Sequence, residues 1–575
     1  MTVKITKRLL ALVGAVLILM PVAMAYAAND GSHSSYTYNY DYWGEIRESP
    51  DAYRVDQMIY SSTLGLEVPM SSPQSLFVLD SFLYVVDRGN NRILELERVG
   101  TEFVLSRIFD HAVVPADKRE EFLEGRSGDL MRNDDGSVYL DEEGCCYLSA
   151  SADGTNATKI LTPDGITTFN APNDVAVRED TDENGVTHRY IYVADTSNNR
   201  VLMFDADTLE YCKQYLKPSD STFDQSQSFL PNKIVVDTSG RVFVLATNVN
   251  KGLVKFEANA TFTGFIGANQ VVYNMWEYIW KTFFTTKEQR AQQASFVPTE
   301  YRNIYIDKDG FIYATNTSFS EYDLLYDNAK PIRRLNAVGT DILIKNDRYP
   351  PIGDLNWVEQ SSDHGPSKLY DITVLDNDMY IAIDQTRGRV FGYDPQGIML
   401  WAFGRGGISS EGSFTRAVSI EHMGYDLIVL DELDCSLTVF TPTDYGNLIY
   451  KASEEYLKGD YYGSADTWNE VRQLNANYNL AIIGIGRAEM REAATKSDVS
   501  ERMALYQSAM DHFKMAHDRD NYGRAFRYYR KDWVEQNIWW ILIIVVALLL
   551  IPVIKGAIRK VKGEVAAYES NQVKK

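Results

Sequence analysis

The residues of this chain whose types could do chemistry are seven histidines, four cysteines and a recurrent aspartate-containing turn. The histidines are His33, His111, His188, His364, His422, His512 and His517. Only His512 and His517, five apart, have the spacing of zinc ligands, and no third ligand stands near them in the chain. Cys145 and Cys146 are neighbours, between which a disulfide is strained, and Cys212 and Cys435 would reach them only through the fold. No G-x-S-x-G elbow, P-loop or Rossmann glycine pattern occurs. The residue types therefore assign no catalytic, cofactor-binding or metal-binding residue, and they call for no cofactor.

The turn is the most specific feature. Asp87-Arg-Gly-Asn-Asn-Arg92 and Asp195-Thr-Ser-Asn-Asn-Arg200 match at four of six positions, and Asp384-Gln-Thr-Arg-Gly-Arg389 keeps the Asp and the Arg. An Asp here accepts backbone N–H groups, an Asn tolerates positive φ, and the Arg reaches back to the carboxylate. Such a set braces a tight turn before it binds anything.

Each turn belongs to a longer repeat. The copies run from Ser71 to Glu97, Ala171 to Asp205, Leu230 to Glu257, Tyr301 to Ser318, Leu369 to Gly397 and, in degenerate form, Ala417 to Phe440. In each, a short apolar strand leads through a turn such as Ser239-Gly240 or Asp309-Gly310 to a strand rich in Tyr, Ile and Val. A polar turn and a third strand follow. Alternation with this turn chemistry predicts antiparallel sheets of three or four strands. One such sheet cannot bury both faces, whereas several arranged radially can, so a six-bladed β-propeller is expected over residues 36–443. The Tyr-rich segment Tyr36 to Tyr60 is placed to close the ring against the last blade.

The D-x-x-N-x-R turns resemble those of the NHL-repeat propeller family. The likeness departs at Ala246-Thr-Asn and Ala314-Thr-Asn, which stand where the Asp turn belongs, and at Asp431, which is followed by no Arg. Pro172-Asn173-Asp174 with Tyr192-Val193-Ala194-Asp195 is also similar to a segment of gluconolactonase-type propellers, which hold a divalent cation in the central channel. That resemblance carries over Asn173 alone as a metal ligand. Pro231-Asn232-Lys233 repeats the same pattern, which points instead to a common turn opening each blade.

Two insertions interrupt the period. Residues 110–168 are acidic and turn-rich; residues 271–293 are predicted to be helical, with Trp276, Ile279, Trp280 and Phe283 on one face. That face either packs on the propeller flank or is presented to a partner or membrane surface. From Leu448 the period is helical. Gly459, Tyr461, Ser464, Trp468 and Val471 fall at the spacings of a tetratricopeptide repeat, which the stretch resembles. Gly486 lies one 34-residue repeat after Ala452, and Ala509, Phe513 and Ala516 renew the pattern. Residues 445–536 are thus expected to form a small tetratricopeptide-like module.

Both ends read as membrane signals. Lys4, Lys7 and Arg8, the apolar run Leu9 to Met20 and the small residues Ala23 to Ala28 have the order of a cleavable signal peptide over residues 1–28; an uncleaved anchor is the other reading. Ile538 to Ile554 holds no charge and, at about 1.5 Å per residue, reaches across a bilayer core. Trp533, Trp539 and Trp540 flank it on one side, and Lys555 and Arg559 on the other. Flanking basic residues balance, so the signal peptide sets the orientation: a large extracytoplasmic domain, a single span at 538–554 and a cytoplasmic tail at 555–575. The glycosylation triplets at Asn156, Asn259 and Asn316 matter only in a host that glycosylates.

Composition narrows the function. Asp and Glu number 79 against 57 Lys and Arg, a formal charge of −22, which disfavours a nucleic-acid partner. Propeller faces and helical grooves are interaction devices, so a non-catalytic, membrane-anchored binding scaffold for protein, peptide or glycan is expected. Arg524, Arg527 and Lys531, at i, i+3 and i+7, meet either lipid headgroups or a docking partner. The layout resembles that of bacterial surface proteins found with sugar ABC-transporter permeases, which implies a membrane-protein partner of that kind. A metal-dependent, lactonase-like hydrolase with its site in the channel is the alternative.

Overall fold

The computed structural model describes residues 36–40, 46–126, 129–148, 158–181, 185–247, 249–267, 301–319, 323–324, 330–344, 351–354, 366–407, 411–476 and 478–572. The proposed signal peptide, the helical insertion at 271–293 and Asn156 lie outside them.

Six antiparallel sheets form the propeller. Blade 1 comprises Pro73–Leu79, Phe82–Asp87, Arg92–Val99 and Glu102–Phe109. Blade 2 comprises Pro172–Thr181, Thr187–Asp195, Arg200–Asp205 and Tyr211–Tyr215. Blade 3 comprises Leu230–Val236, Val242–Thr247, Leu253–Phe256 and Phe262–Ile266. The described part of blade 4 holds Asn303–Ile306, Ile312–Thr315 and Ile332–Leu335. Blade 5 is built on Leu369–Val374, Tyr380–Asp384, Arg389–Tyr393 and Met399–Phe403, and Thr37–Tyr40 pairs antiparallel with the last of these on its outer edge. In each blade the first strand lies innermost, against the first strands of the two neighbouring blades.

Ring closure follows the expectation for the Tyr-rich segment. Blade 6 has three strands of its own, Ala417–Met423, Asp426–Asp431 and Ser436–Pro442; its outer strand is Tyr53–Tyr60, which pairs antiparallel with Ser436–Pro442 from Tyr53↔Pro442 to Tyr60↔Ser436. The Tyr53 ring is fully buried against Trp401 and Phe403 of blade 5. Pairing the two chain ends of a propeller in one sheet removes a free edge, which would otherwise be open to strand addition.

The hairpin turns follow local chemistry. In Asp237–Gly240, Asp307–Gly310 and Asp394–Gly397 the glycine has positive φ, and the Asp Oδ1 accepts the N–H two and four residues on. Apolar cores lie between successive blades. One joins Leu83, Val85 and Leu94 of blade 1 to Ile428, Leu430 and Val439 of blade 6; another joins Val244 and Phe256 of blade 3 to Tyr192 and Val201 of blade 2. The insertion at 110–168 folds onto the blade 1–blade 2 core: Phe122, Cys146, Leu148 and Ile160 are buried with Phe109 and Phe204. It contains a short helix, α1 (Arg119–Glu124), and its strand Ile166–Thr168 pairs with His111–Val113.

The C-terminal helices form a second compact unit. They are α2 (Asp444–Lys458), α3 (Tyr461–Leu474), α4 (Asn479–Thr495), α5 (Val499–Met515) and α6 (Arg519–Gln572). Successive helices pack pairwise. Ser464 Oγ donates to the Ala452 carbonyl across α2 and α3, and Gly484 of α4 lies so near the Trp468 indole that a Cβ there would come within 2.6 Å of it. Gly486 meets the Phe513 ring of α5 in the same way. The first turns of α6 pack on α5 through Ala525, the Tyr506–Tyr528 ring pair and the Arg502–Asp532 ion pair. The helix then runs unbroken through 538–554, Pro552 included, and that stretch is apolar and, apart from the half-buried Ile541, exposed. Among the described residues it is the helix long and apolar enough to cross a membrane.

Candidate functional site

The Asp turns are braces, as their chemistry requires. Asp87 Oδ1 accepts the Ser71 N–H at 2.7 Å, while Oδ2 accepts Asn90 Nδ2 at 2.8 Å and Arg92 Nε at 2.7 Å. Asp195 repeats the pattern with Asn170 N, Asn198 Nδ2 and Arg200 Nε. Asn91 and Asn199 take positive φ, the conformation Asn tolerates. Asp384 accepts Lys368 N, Thr386 N and Ser367 Oγ. Where blade 4 lacks the Asp, Thr315 substitutes: its Oγ1 accepts Asn303 N and donates to the Tyr370 carbonyl.

The channel wall carries a second polar set. The residue just after the bulge or start of each innermost strand is Ser75, Asp174, Lys233, Asn303, Asp371 or Ser419, and all six are buried. They interlock from blade to blade. Lys233 Nζ donates to Ser75 Oγ at 2.7 Å and lies 3.6 Å from Asp174 Oδ1; Ser75 Oγ donates to Asp174. Asp174 Oδ2 accepts the Ile234 N–H of blade 3, and Asp371 Oδ2 accepts Ser419 Oγ and the Ile420 N–H of blade 6. Asn303 Nδ2 donates to Asp371, and Ser419 Oγ accepts the Leu76 N–H of blade 1, which joins blade 4 to blade 5 and blade 6 to blade 1. Burial pushes the Asp174 and Asp371 carboxyls up, and the Lys233 charge pulls both back. One layer on, burial and then Asp371 hold Glu421 well above the usual carboxylate range, while burial lowers His422 to about 4. Thr373 Oγ1 touches both, donating to Glu421 Oε2 at 3.2 Å and lying 2.7 Å from His422 Nδ1.

Beside the channel, where blades 4, 5 and 6 begin, a polar cavity of about 410 Å³ opens to solvent. Three cations converge on it: Arg302, Lys368 and Arg416. Arg302 precedes the ring residue Asn303; its guanidinium lies 4.1 Å from the centroid of the Tyr370 ring. Lys368 Nζ donates to the Phe319 carbonyl at 2.6 Å, and Arg416 Nε lies 3.0 Å from Glu432 Oε2. Burial, and then the like charge of Arg416, lower the Arg302 pKa; burial lowers that of Lys368. Thr317, Gln385 and Thr386 supply uncharged polar groups.

The residues weighed from sequence fall as follows. Asn173 Nδ2 donates to Asn232 Oδ1 at 3.0 Å, so the two Pro-Asn turns join neighbouring blades. The adjacent Asp174 carboxylate is taken up by Ser75 and Ile234 N. All four cysteines are free thiols, with Cys145 and Cys146 buried. Asp141, Glu143 and Cys145 bring ligand-type atoms within 4.8 Å of one another, but Asp141 is engaged by Glu143 N, Cys145 N and the Tyr147 hydroxyl of its own turn. His512 Nδ1 meets Glu489 Oε2 at 2.8 Å, a bond between α5 and α4. Asn316 is only 3% exposed, which closes its triplet to glycosylation. Sequence reasoning missed both the polar ring and the cationic cavity. The ring had a signal, since the copies aligned at their first strands read Pro73-Gln74-Ser75, Pro172-Asn173-Asp174, Pro231-Asn232-Lys233 and Leu369-Tyr370-Asp371, polar at the third place each time.

No protein-family model matches the chain, and no curated protein matches it in sequence. Solved structures align with about two thirds of it. Virginiamycin B lyase from Staphylococcus aureus is 11% identical over 68% of this chain and 99% of its own, with a TM-score of 0.34. Hydrazine synthase from Kuenenia stuttgartiensis is 11% identical over 66% and 97%, at 0.33, and BamB from Moraxella catarrhalis 10% over 65% and 86%, at 0.27. The architecture rests on the strand order itself. By it, the chain is a six-bladed β-propeller followed by a helical unit and one long apolar helix.

Proposed function

We propose that this protein is a non-catalytic, membrane-anchored binding scaffold. In this reading its propeller is an NHL-type disc carried outside the cytoplasm, its helical unit a tetratricopeptide-like groove, α6 the anchor, and residues 555–575 a cytoplasmic tail. The observation that supports it best is the polar ring. Asp174 and Asp371 already accept hydrogen bonds from neighbouring blades and face Lys233, so the channel carboxylates work as blade-to-blade ties. Recognition then falls to the outer face, where the cationic cavity opens, and to the helices. The exposed Arg524, Arg527 and Lys531 on α6, just ahead of the apolar stretch, support a membrane-protein partner such as a transporter permease.

Mild cross-linking in native membranes followed by purification of the full-length chain tests this. The expected result is a reproducible polytopic membrane partner, lost when Arg524, Arg527 and Lys531 are all changed to Glu. Recovery of the chain alone would overturn the scaffold reading.

A further inference from the structure

The cavity shared by blades 4, 5 and 6 is a reversal of charge. The chain carries −22 overall, yet three cationic side chains converge on a single cavity. Two of the three make their close contacts to uncharged groups. Arg302 lies against the Tyr370 ring, which holds a guanidinium by its face and takes none of its N–H groups. Among the described residues no carboxylate or carbonyl accepts a hydrogen bond from that guanidinium. Lys368 has a carbonyl and the Phe319 ring, 3.8 Å from its Nζ, as its close neighbours. Arg416 pairs with the carboxylate of Glu432 and is half exposed. Burial acts against the charged forms of both Arg302 and Lys368, and the like charge of Arg416 acts further against that of Arg302; Glu432 and Asp371 act the other way on Arg302, as Asp384 and Asp323 do on Lys368. A bound anion relieves that repulsion and supplies acceptors to planar donors that match two oxygens at once.

The rest of the lining narrows the ligand. Thr317, Gln385 and Thr386 offer hydroxyl and amide groups without charge, and a cavity of about 410 Å³ suits a molecule of monosaccharide size. We propose that this cavity binds a small hydroxylated oxyanion, a sugar acid or sugar phosphate. Arg302 and Arg416 grip its charged group, and the threonines and Gln385 meet its hydroxyls. The inference rests on the reading of the outer face as a recognition surface, and is independent of any membrane partner.

Calorimetric titration of the full-length protein in lipid nanodiscs tests it, with glucuronate and glucose 6-phosphate as probes and glucose as the neutral control. Both acids are expected to bind more tightly than glucose, and less tightly as salt is added. Arg302→Met keeps the packing on Tyr370 and removes the charge; it is expected to weaken binding about tenfold or more with an unchanged unfolding midpoint. Arg416→Gln, at a half-exposed site, serves as a second variant whose folding is not at issue. Three results would overturn the proposal: no binding of either acid by folded protein up to about 10 mM, equal affinity for glucose, or affinity unchanged when Arg302→Met and Arg416→Gln are combined. Any of these would leave the co-purification of a membrane partner untouched, so the two readings fail separately.

Discussion

Lys233 and Asp174 stand on adjacent innermost strands with Nζ 3.6 Å from Oδ1, and Ser75 Oγ of a third blade bridges them, accepting from the lysine and donating to the aspartate. Three blades are thus joined through two charges and one hydroxyl inside the channel. Asp371, from a fourth blade, also feels the Lys233 charge. A propeller of radially packed sheets has few covalent links between blades, so a tie of this kind sets how they are spaced around the axis.

Removing the lysine should therefore cost more than a surface ion pair. Lys233→Met leaves Asp174 and Asp371 buried without their cation, and a loss of about 3–5 kcal/mol is expected. Lys233→Met with Asp174→Asn should recover part of it, because the stranded charge goes as well. Urea denaturation of the full chain in detergent measures both; equal stability of the single variant and the parent would dismiss the tie.

The buried turns should rank by whether a charge is stranded. Arg200 and Asp195 are both fully buried, and Arg200 also donates to Thr167 Oγ1 and the Thr168 carbonyl of the insertion. Asp195→Asn leaves that guanidinium without its carboxylate, with an expected loss of about 3–5 kcal/mol. Asp431 accepts backbone N–H groups from Thr415, Arg416, Leu433 and Asp434. An Asn there keeps an acceptor oxygen, so Asp431→Asn should cost about 1–3 kcal/mol. Reversal of that order in thermal or urea melts would refute the distinction.

Glycines separate close packing from mere flexibility in the helical unit. Gly484→Ala places a Cβ 2.6 Å from the Trp468 indole, so α3 and α4 must part, at about 1–3 kcal/mol. Gly523→Ala in α6 meets nothing within 4 Å and should stabilise its helix by roughly 1 kcal/mol. Amide hydrogen exchange in α3, α4 and α6 reads both effects locally; faster exchange around Gly523→Ala would contradict the second.

The six blades, the Asp braces and the closing strand were legible because each depends on local chemistry repeated at a fixed period. Asp87 and Asp195 act within a few residues of themselves, which a sequence displays directly. Lys233, Asp174 and Ser75 are separated by up to 158 residues and meet only because the ring closes. The same holds for Arg302 and Arg416, which belong to blades 4 and 6 yet line one cavity. Isolated basic residues at the starts of strands look like ordinary surface until the topology brings them together. For Asn173 the repeat outweighed the local motif: the recurrence of Pro-Asn at residues 231–232 pointed to a common turn opening each blade, and Asn173 Nδ2 donates to the matching Asn232 Oδ1.

Glu421 and His422 should give the propeller opposed pH dependences. The folded state holds Glu421 well above its ordinary value of 4.5, so folded protein keeps a proton that the unfolded chain releases. Stability from this residue is greatest below about 4.5 and falls as pH rises toward the folded value, by at most about 1.4 kcal/mol per unit. His422 is lowered to about 4 from 6.5, so the unfolded chain takes up a proton that the folded one refuses. Its contribution is fully present above 6.5 and is lost as pH falls toward 4. Above 4.5 the two slopes oppose each other wherever both groups titrate. Glu421→Gln keeps an oxygen for the Thr373 hydroxyl and removes the titration. It should match the parent most closely near pH 4 and exceed it in stability at pH 8. His422→Asn should flatten the loss on the acid side. Urea midpoints at pH 4, 6 and 8 decide the matter, and parallel profiles for the parent and Glu421→Gln would show that Glu421 carries no held proton in the folded channel.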